Sequence, residues 1–107
     1  MANTYKSYFV DLTTTSKTLI YTVPANTTAI VKTIQLTNES GNINTQVYVT
    51  DTSASIEYEV SHTTLAARST ENFAKGSIVL EAGDLIKIQA ATANTVTGVI
   101  SVLHVQY

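Results

Sequence analysis

The feature that most constrains this chain is a two-residue alternation of apolar and polar positions, repeated in short segments between turn-forming residues. Successive side chains on a β-strand point to opposite faces, so such alternation marks a strand with one dry and one wet side. Nowhere does the 3.6-residue period of an amphipathic helix hold over a useful length. Threonine, valine, isoleucine and tyrosine recur in these segments, and they suit a pleated, half-buried surface. The pattern predicts an all-β fold: an antiparallel, jelly-roll-like β-sandwich of about eight short strands, as a single domain over residues 1–107.

Tyr5–Leu12 reads as the first strand, with residues 1–12 as an N-terminal arm or an edge strand. Lys17–Val23 follows, with Leu19 and Tyr21 on one face. Pro24-Ala25-Asn26 ends it, because proline has no N–H to donate and presets a turn. In Thr28–Asn38, Ile30, Ile34 and Leu36 share a face that Lys32 interrupts. Either a bulge lies near Val31-Lys32, or this lysine reaches the rim. After the turn at Glu39-Ser40-Gly41-Asn42, Gln46–Asp51 sets Val47 and Val49 inward and Tyr48 outward. Ile56-Glu57-Tyr58-Glu59-Val60 alternates apolar against acidic, as a strand with one dry face requires. Ser61–Lys75 is the least regular stretch, with room for a long crossover and a short strand or helical turn at Leu65-Ala66-Ala67. Ser77–Glu81 and Leu85–Ala90 read as a hairpin-type pair about Glu81-Ala82-Gly83-Asp84, Gly83 taking the positive φ of the turn.

Beyond a turn at Ala93-Asn94, Thr95–Tyr107 is the last and longest strand, and it is apolar on both faces. Val99, Leu103, Val105 and Tyr107 lie on one side, with Val96, Ile100, Val102 and His104 on the other. A strand wetted on one side should be polar at alternate positions. This one is either central and covered by a loop or second layer, or buried on its outer face by another subunit.

Composition excludes several kinds of chemistry. There is no cysteine, hence no thiol catalysis, no cysteine zinc site and no disulfide framework. The formal net charge is −2 and the 6 Lys and Arg are scattered singly, without the basic patch a nucleic-acid binder needs. No apolar run reaches the ~18 residues of a membrane span, and the first residues lack the apolar stretch of a signal peptide. A soluble chain that folds in a cytoplasm is the expectation. Only 13% of residues are charged, which is far from filling a surface to the roughly 25–35% charged that suits an isolated soluble domain. A neutral, β-prone surface of this kind suits burial against other subunits.

Candidate reactive groups are sparse. His62 and His104 are the histidines, and neither has a second His or Cys at metal-ligand spacing, so structural roles are expected for both. No Gly-x-Ser-x-Gly elbow exposes a nucleophile. Glu57 and Glu59 share one strand face, which reads as solvated rather than as a glycosidic pair. The 4 glycines are isolated, so no phosphate loop is present, and Asp51-Thr52-Ser53 is too thin for a calcium loop. Tyrosines 5, 8, 21, 48, 58 and 107 offer rings on which sugars could stack, though cross-strand contacts are their commoner use and no tryptophan accompanies them. Asn26-Thr27-Thr28 and Asn38-Glu39-Ser40 match the glycosylation pattern, which a chain without a secretion signal gives by chance. The expectation is a chain with no catalytic, cofactor or metal site.

Tyr21-Thr22-Val23-Pro24-Ala25-Asn26-Thr27-Thr28-Ala29-Ile30-Val31-Lys32-Thr33-Ile34-Gln35-Leu36-Thr37-Asn38, with Gly41 soon after, resembles the small β-sandwich virion proteins of tailed bacteriophages. In that group a strand ending in Val-Pro-Ala leads through a turn into an Ala-x-Val-Lys-x-Ile-x-Leu-x-Asn strand. A Leu-Glu-Ala-Gly-Asp turn comes later, matched by Leu80-Glu81-Ala82-Gly83-Asp84, and then an Ile-x-Ile strand, matched by Ile86-Lys87-Ile88. The likeness spans about Lys17 to Tyr107 and rests on turns and core, so it carries over no functional residue. It implies a non-enzymatic capsid decoration or cement protein, made in the host bacterial cytoplasm and resident in the virion. A tail, neck or fibre component is the alternative within that group, and a glycan-binding receptor module the alternative outside it. The implied partners are other virion proteins, the major capsid protein above all, and further copies of the chain, with a trimer favoured; nucleic acid and membrane are not among them. Tyr5, Tyr8 and Phe9 of the arm, with Val99, Leu103, Val105 and Tyr107 of the last strand, are the expected inter-subunit contacts. Removing residues 2–9 is then expected to weaken assembly and leave the isolated fold largely intact.

Overall fold

The alternating segments form two antiparallel sheets that face each other across an aliphatic interior. The computed structural model describes residues 2–107; residue 1, part of the expected domain and arm, lies outside the described residues. The strands among them are β1 (Ala2–Leu12), β2 (Thr18–Thr22), β3 (Thr27–Asn38), β4 (Ile43–Asp51), β5 (Ile56–Leu65), β6 (Thr70–Asn72), β7 (Ile78–Leu80), β8 (Leu85–Ala90) and β9 (Val96–Gln106). The first sheet runs β1-β9-β3, and the short β6 and β7 both pair along the free edge of β3. The second runs β2-β8-β4-β5. The fold is the β-sandwich that alternation predicts. It has nine strands rather than about eight, and β1, β3, β4, β5 and β9 are longer than short strands, at 11, 12, 9, 10 and 11 residues.

The core lies between the sheets. Leu12, Ile34, Leu36, Leu65, Ile86, Ile88 and Ile100 are fully buried there, drawn from five strands. Each such side chain removed from water contributes about 1.5–3 kcal/mol, which is how a chain without disulfides closes. β9 is central, bonded to β1 along one side and β3 along the other. Its inner face carries Val96, Ile100, Val102 and His104, all buried.

Register shifts decide which residues reach the core, because one extra residue turns every later side chain to the other face. In β3 the shift falls between Val31 and Thr33, so Lys32 is the bulged residue and stays exposed. Ala29 and Val31 point inward before it, Ile34 and Leu36 after it. Ile30 therefore stands on the outer face, not beside Ile34 and Leu36 as simple alternation implies. A second shift at Ile20 separates Leu19 from Tyr21, which were expected to share a face. Tyr21 is buried and Leu19 exposed.

Two further expectations are corrected. The pair Ser77–Glu81 and Leu85–Ala90 is not a hairpin: β7 joins β3 in the first sheet and β8 joins β2 and β4 in the second. The turn between them carries the chain across the sandwich, with Gly83 at φ +90. The expected dry face of Ile56–Val60 is not dry. Ile56 and Tyr58 lie on the inward side of the edge strand β5, but only three-residue strands flank β3 opposite, and both remain exposed. Val60 is an extra residue at a shift in the β4–β5 register and is exposed as well. The irregular stretch after Ser61 continues β5 to Leu65 and then forms β6, with no helical turn at Leu65-Ala66-Ala67.

Candidate assembly surface

The outer face of the β1-β9-β3 sheet gathers most of the residues expected at subunit contacts. In β1 the odd-numbered residues point outward: Tyr5 and Phe9 are 77% and 83% exposed, while Val10 and Leu12 are buried. Antiparallel register sets Tyr5 opposite Leu103 of β9, Leu103 opposite Ile30 of β3, and Ile30 opposite Val79 of β7. These four form one apolar row straight across the sheet. Four residues along, Phe9 stands opposite Val99, and Val99 opposite Gln35. Between the rows lie Ser7, Ser101 and Thr33, all short and hydroxylated. Val105 flanks the first row between Asn3 and Thr28. Tyr107 follows the end of β9, 67% exposed, its N–H donating to the Asn26 carbonyl at 2.9 Å.

Tyr8 does not join this surface. It points to the inner side, its ring 4.6 Å from that of Tyr21. The N-terminal segment is the edge strand of the two alternatives raised, since β1 pairs residue for residue with β9 from Ala2 to Leu12. Removing residues 2–9 would strip β9 of most of that ladder, so the fold is not expected to be indifferent to the truncation. Ile30 and Val79 were missed by sequence reasoning. Ile30 was grouped on one face with Ile34 and Leu36 by counting through the Lys32 bulge. Val79 lies in Ile78-Val79-Leu80, apolar on both faces, which is the same signal that marked β9.

The outer face of the second sheet has opposite chemistry. Glu57 of β5 accepts from the Lys17 ammonium at 2.7 Å and lies 3.3 Å from that of Lys87 in β8. Lys17 also sits over the Tyr48 ring of β4, 4.1 Å from its centroid. The lysine hydrogen bonds hold the Glu57 carboxyl below the usual carboxylate range, and the same bond raises Lys17. Glu59 is engaged with His62 at 3.0 Å. The two carboxylates share the wet face as expected and each is already paired.

His104 is buried among aromatics. Its Nε2 is 2.6 Å from the Tyr21 hydroxyl, which donates when the neutral ring carries its proton on Nδ1. Burial is the main cause of the lowered His104 pKa, and nearby Lys6 adds to it. Burial likewise raises the Tyr21 phenol, with Tyr8 contributing. His62 and His104 are on different sheets and are not brought together. Among the described residues no three His, Asp or Glu side chains cluster as a metal would need, and no pocket is found.

The motifs behind the phage resemblance meet in space as turn braces. The Val23 N–H donates to the Asp84 carbonyl and the Gly83 N–H to the Val23 carbonyl, at 2.9 and 3.0 Å. The Asp84 carboxylate accepts from the N–H groups of Glu81 and Thr52. Asn38, 1% exposed, donates through Nδ2 to carbonyls of Gly41, Leu65 and Ala66, and accepts from the Ser40 N–H. Its amide is thus committed to the fold, which closes the Asn38-Glu39-Ser40 glycosylation match.

No protein-family model matches the sequence, and no curated protein matches it. Among solved structures, the chain is similar to one from a Bacillus endospore appendage, described as a novel family of disulfide-linked pili. Identity is 17% and the TM-score 0.53, over 95% of this chain and 85% of that one. The likeness shows the fold alone.

Proposed function

We propose that this chain is a non-enzymatic structural subunit that works by touching other protein subunits, with capsid decoration or cement protein of a tailed phage as its specific role. One observation carries the reading: an apolar surface on the outside of the β1-β9-β3 sheet that no part of the described chain covers. Tyr5, Phe9 and Val79 are each more than half exposed there, and Leu103, Val99 and Ile30 lie between them. Exposed apolar groups that are contiguous rather than scattered mark sites of contact. The pairing of Glu57 with Lys17, the Glu59–His62 contact and the Tyr21–His104 hydrogen bond fit structural roles for these groups. The virion part of the reading rests on the sequence resemblance to phage β-sandwich proteins.

A pilus or fibre subunit is the second reading. It is favoured by the structural likeness to a pilus-forming appendage chain. These 107 residues hold no cysteine, so no disulfide would link subunits through this stretch. Solution mass and electron microscopy of the purified protein, alone and mixed with empty phage capsids, separate the two. Discrete oligomers that decorate capsids support the first reading and filaments the second. A monomer that binds no capsid and forms no filament at its highest soluble concentration counts against both.

A further inference from the structure

We infer that the occupant of the apolar face is a second copy of this chain, stacked sheet on sheet through the outer surface of β1-β9-β3; this rests on the assembly reading above. The face has the relief that self-pairing needs. The row Tyr5–Leu103–Ile30–Val79 forms one ridge and Phe9–Val99 another, and Ser7, Ser101 and Thr33 form the furrow between them. Outward rows on a strand repeat every ~7 Å, so a facing copy displaced by one row lays its aromatic ridge in this furrow. The hydroxyls lining the furrow give the Tyr5 phenol hydrogen-bond partners once water is expelled. Stacked sheets settle about 10 Å apart with strands within ~30° of alignment, and that separation accommodates interdigitated side chains of this size.

Area and charge point the same way. Three strands of 11, 11 and 12 residues, with two of 3 residues along the free edge of β3, offer a face of roughly 600 Å², approaching the ~800 Å² per partner of a stable interface. Asp11 at the end of β1 and the bulged Lys32 are its charged residues, one of each sign, so two copies meet without a like-charge field. The opposite outer face, crossed by Lys17, Glu57, Lys87 and the Glu59–His62 pair, would have to desolvate paired charges to stack in the same way.

The cysteine-free chain makes the test direct. Ser101→Cys places a thiol in the middle of the furrow, and Gln46→Cys places one on the outer face of the second sheet. Mild oxidation of the full-length proteins should cross-link Ser101→Cys into dimers at least tenfold faster than Gln46→Cys. Adding Phe9→Lys to Ser101→Cys should abolish that advantage, and circular dichroism should show the fold retained because Phe9 is exposed. Equal cross-linking from the two faces overturns the inference. If the wild-type protein is a monomer but binds empty capsids, and Phe9→Lys removes that binding, self-pairing fails while the assembly reading stands. A monomer indifferent to Phe9→Lys in both measurements overturns both.

Discussion

The two outer faces of this sandwich are built on the same strand geometry and treat water in opposite ways. Outside the β2-β8-β4-β5 sheet, Glu57 gathers Lys17 and Lys87, and Lys17 covers the Tyr48 ring, so apolar area is capped by charge. Outside the β1-β9-β3 sheet, Tyr5 and Phe9 stand uncapped beside Leu103 and Val99. Strand propensity cannot be the cause, since tyrosine and valine occur in both sheets. What differs is whether a long charged side chain leans over its neighbours, as lysine stems do at a surface meant to stay wet. The contrast teaches that the low charge of this chain is not spread evenly: one face has been kept fit for solvent and the other has not.

Four experiments break or sharpen that contrast. The largest effect is expected from Gly98→Val. A Cβ at position 98 would collide with the Gln35 carbonyl oxygen and approach the Leu36 side chain to 2.8 Å, so β9 and β3 would have to part. A loss of about 3 kcal/mol or more in urea unfolding is expected, together with loss of assembly. An unchanged midpoint would mean that the β3–β9 register is wrong.

Tyr21→Phe comes next. It leaves the buried Nε2 of His104 without its partner and should cost about 1–3 kcal/mol beneath an unaltered outer surface. The same cluster sets the pH limits. The His104 pKa is lowered on folding, so below about 6.5 the unfolded chain takes up the proton first, and stability falls as pH drops from there toward the folded value. Tyr21 is raised, so stability should also fall as pH climbs above about 10. Thermal melts across pH should show both declines, and His104→Gln should flatten the acid one below about pH 6.5.

Glu57→Gln should do least. The carboxylate is surface-exposed and its ion pairs are screened, so only a small, salt-sensitive loss is expected. Because the Glu57 pKa is depressed, the wild-type advantage should be present above the normal carboxylate pKa and vanish as pH falls through the lowered one. Oligomer mass should not change. A change would show that the charged face also takes part in assembly.

Much of this architecture was legible from residue order alone. Alternation located β8 to the residue and most of β4 and β9, and β9 has the central position that one of the two readings of its two-sided pattern held. Periodicity misled at Ile20, where counting by two passed through a bulge that no residue type marks; at Lys32 the interrupting lysine did point to the bulge, but Ile30 was still grouped with Ile34 and Leu36. It misled again at Ile56 and Tyr58, whose dryness depends on how far the opposite sheet extends. Tyr8 is a different case. Counting from Phe9 puts it with Val10 and Leu12 on the inner side, so the signal was present, and grouping it with Tyr5 set that signal aside. Val79 was hidden by brevity, since a three-residue strand carries too little pattern to assign a face.

The central claim is that the β1-β9-β3 face, and not its opposite, meets other subunits. Sedimentation equilibrium on Tyr5→Lys/Phe9→Lys beside Leu19→Lys/Glu57→Gln tests it most directly, since all four side chains lie at the surface. The account predicts that the first variant sediments as a folded monomer while the second keeps the wild-type mass. The reverse outcome, or equal masses together with equal binding of both variants to empty capsids, would contradict it.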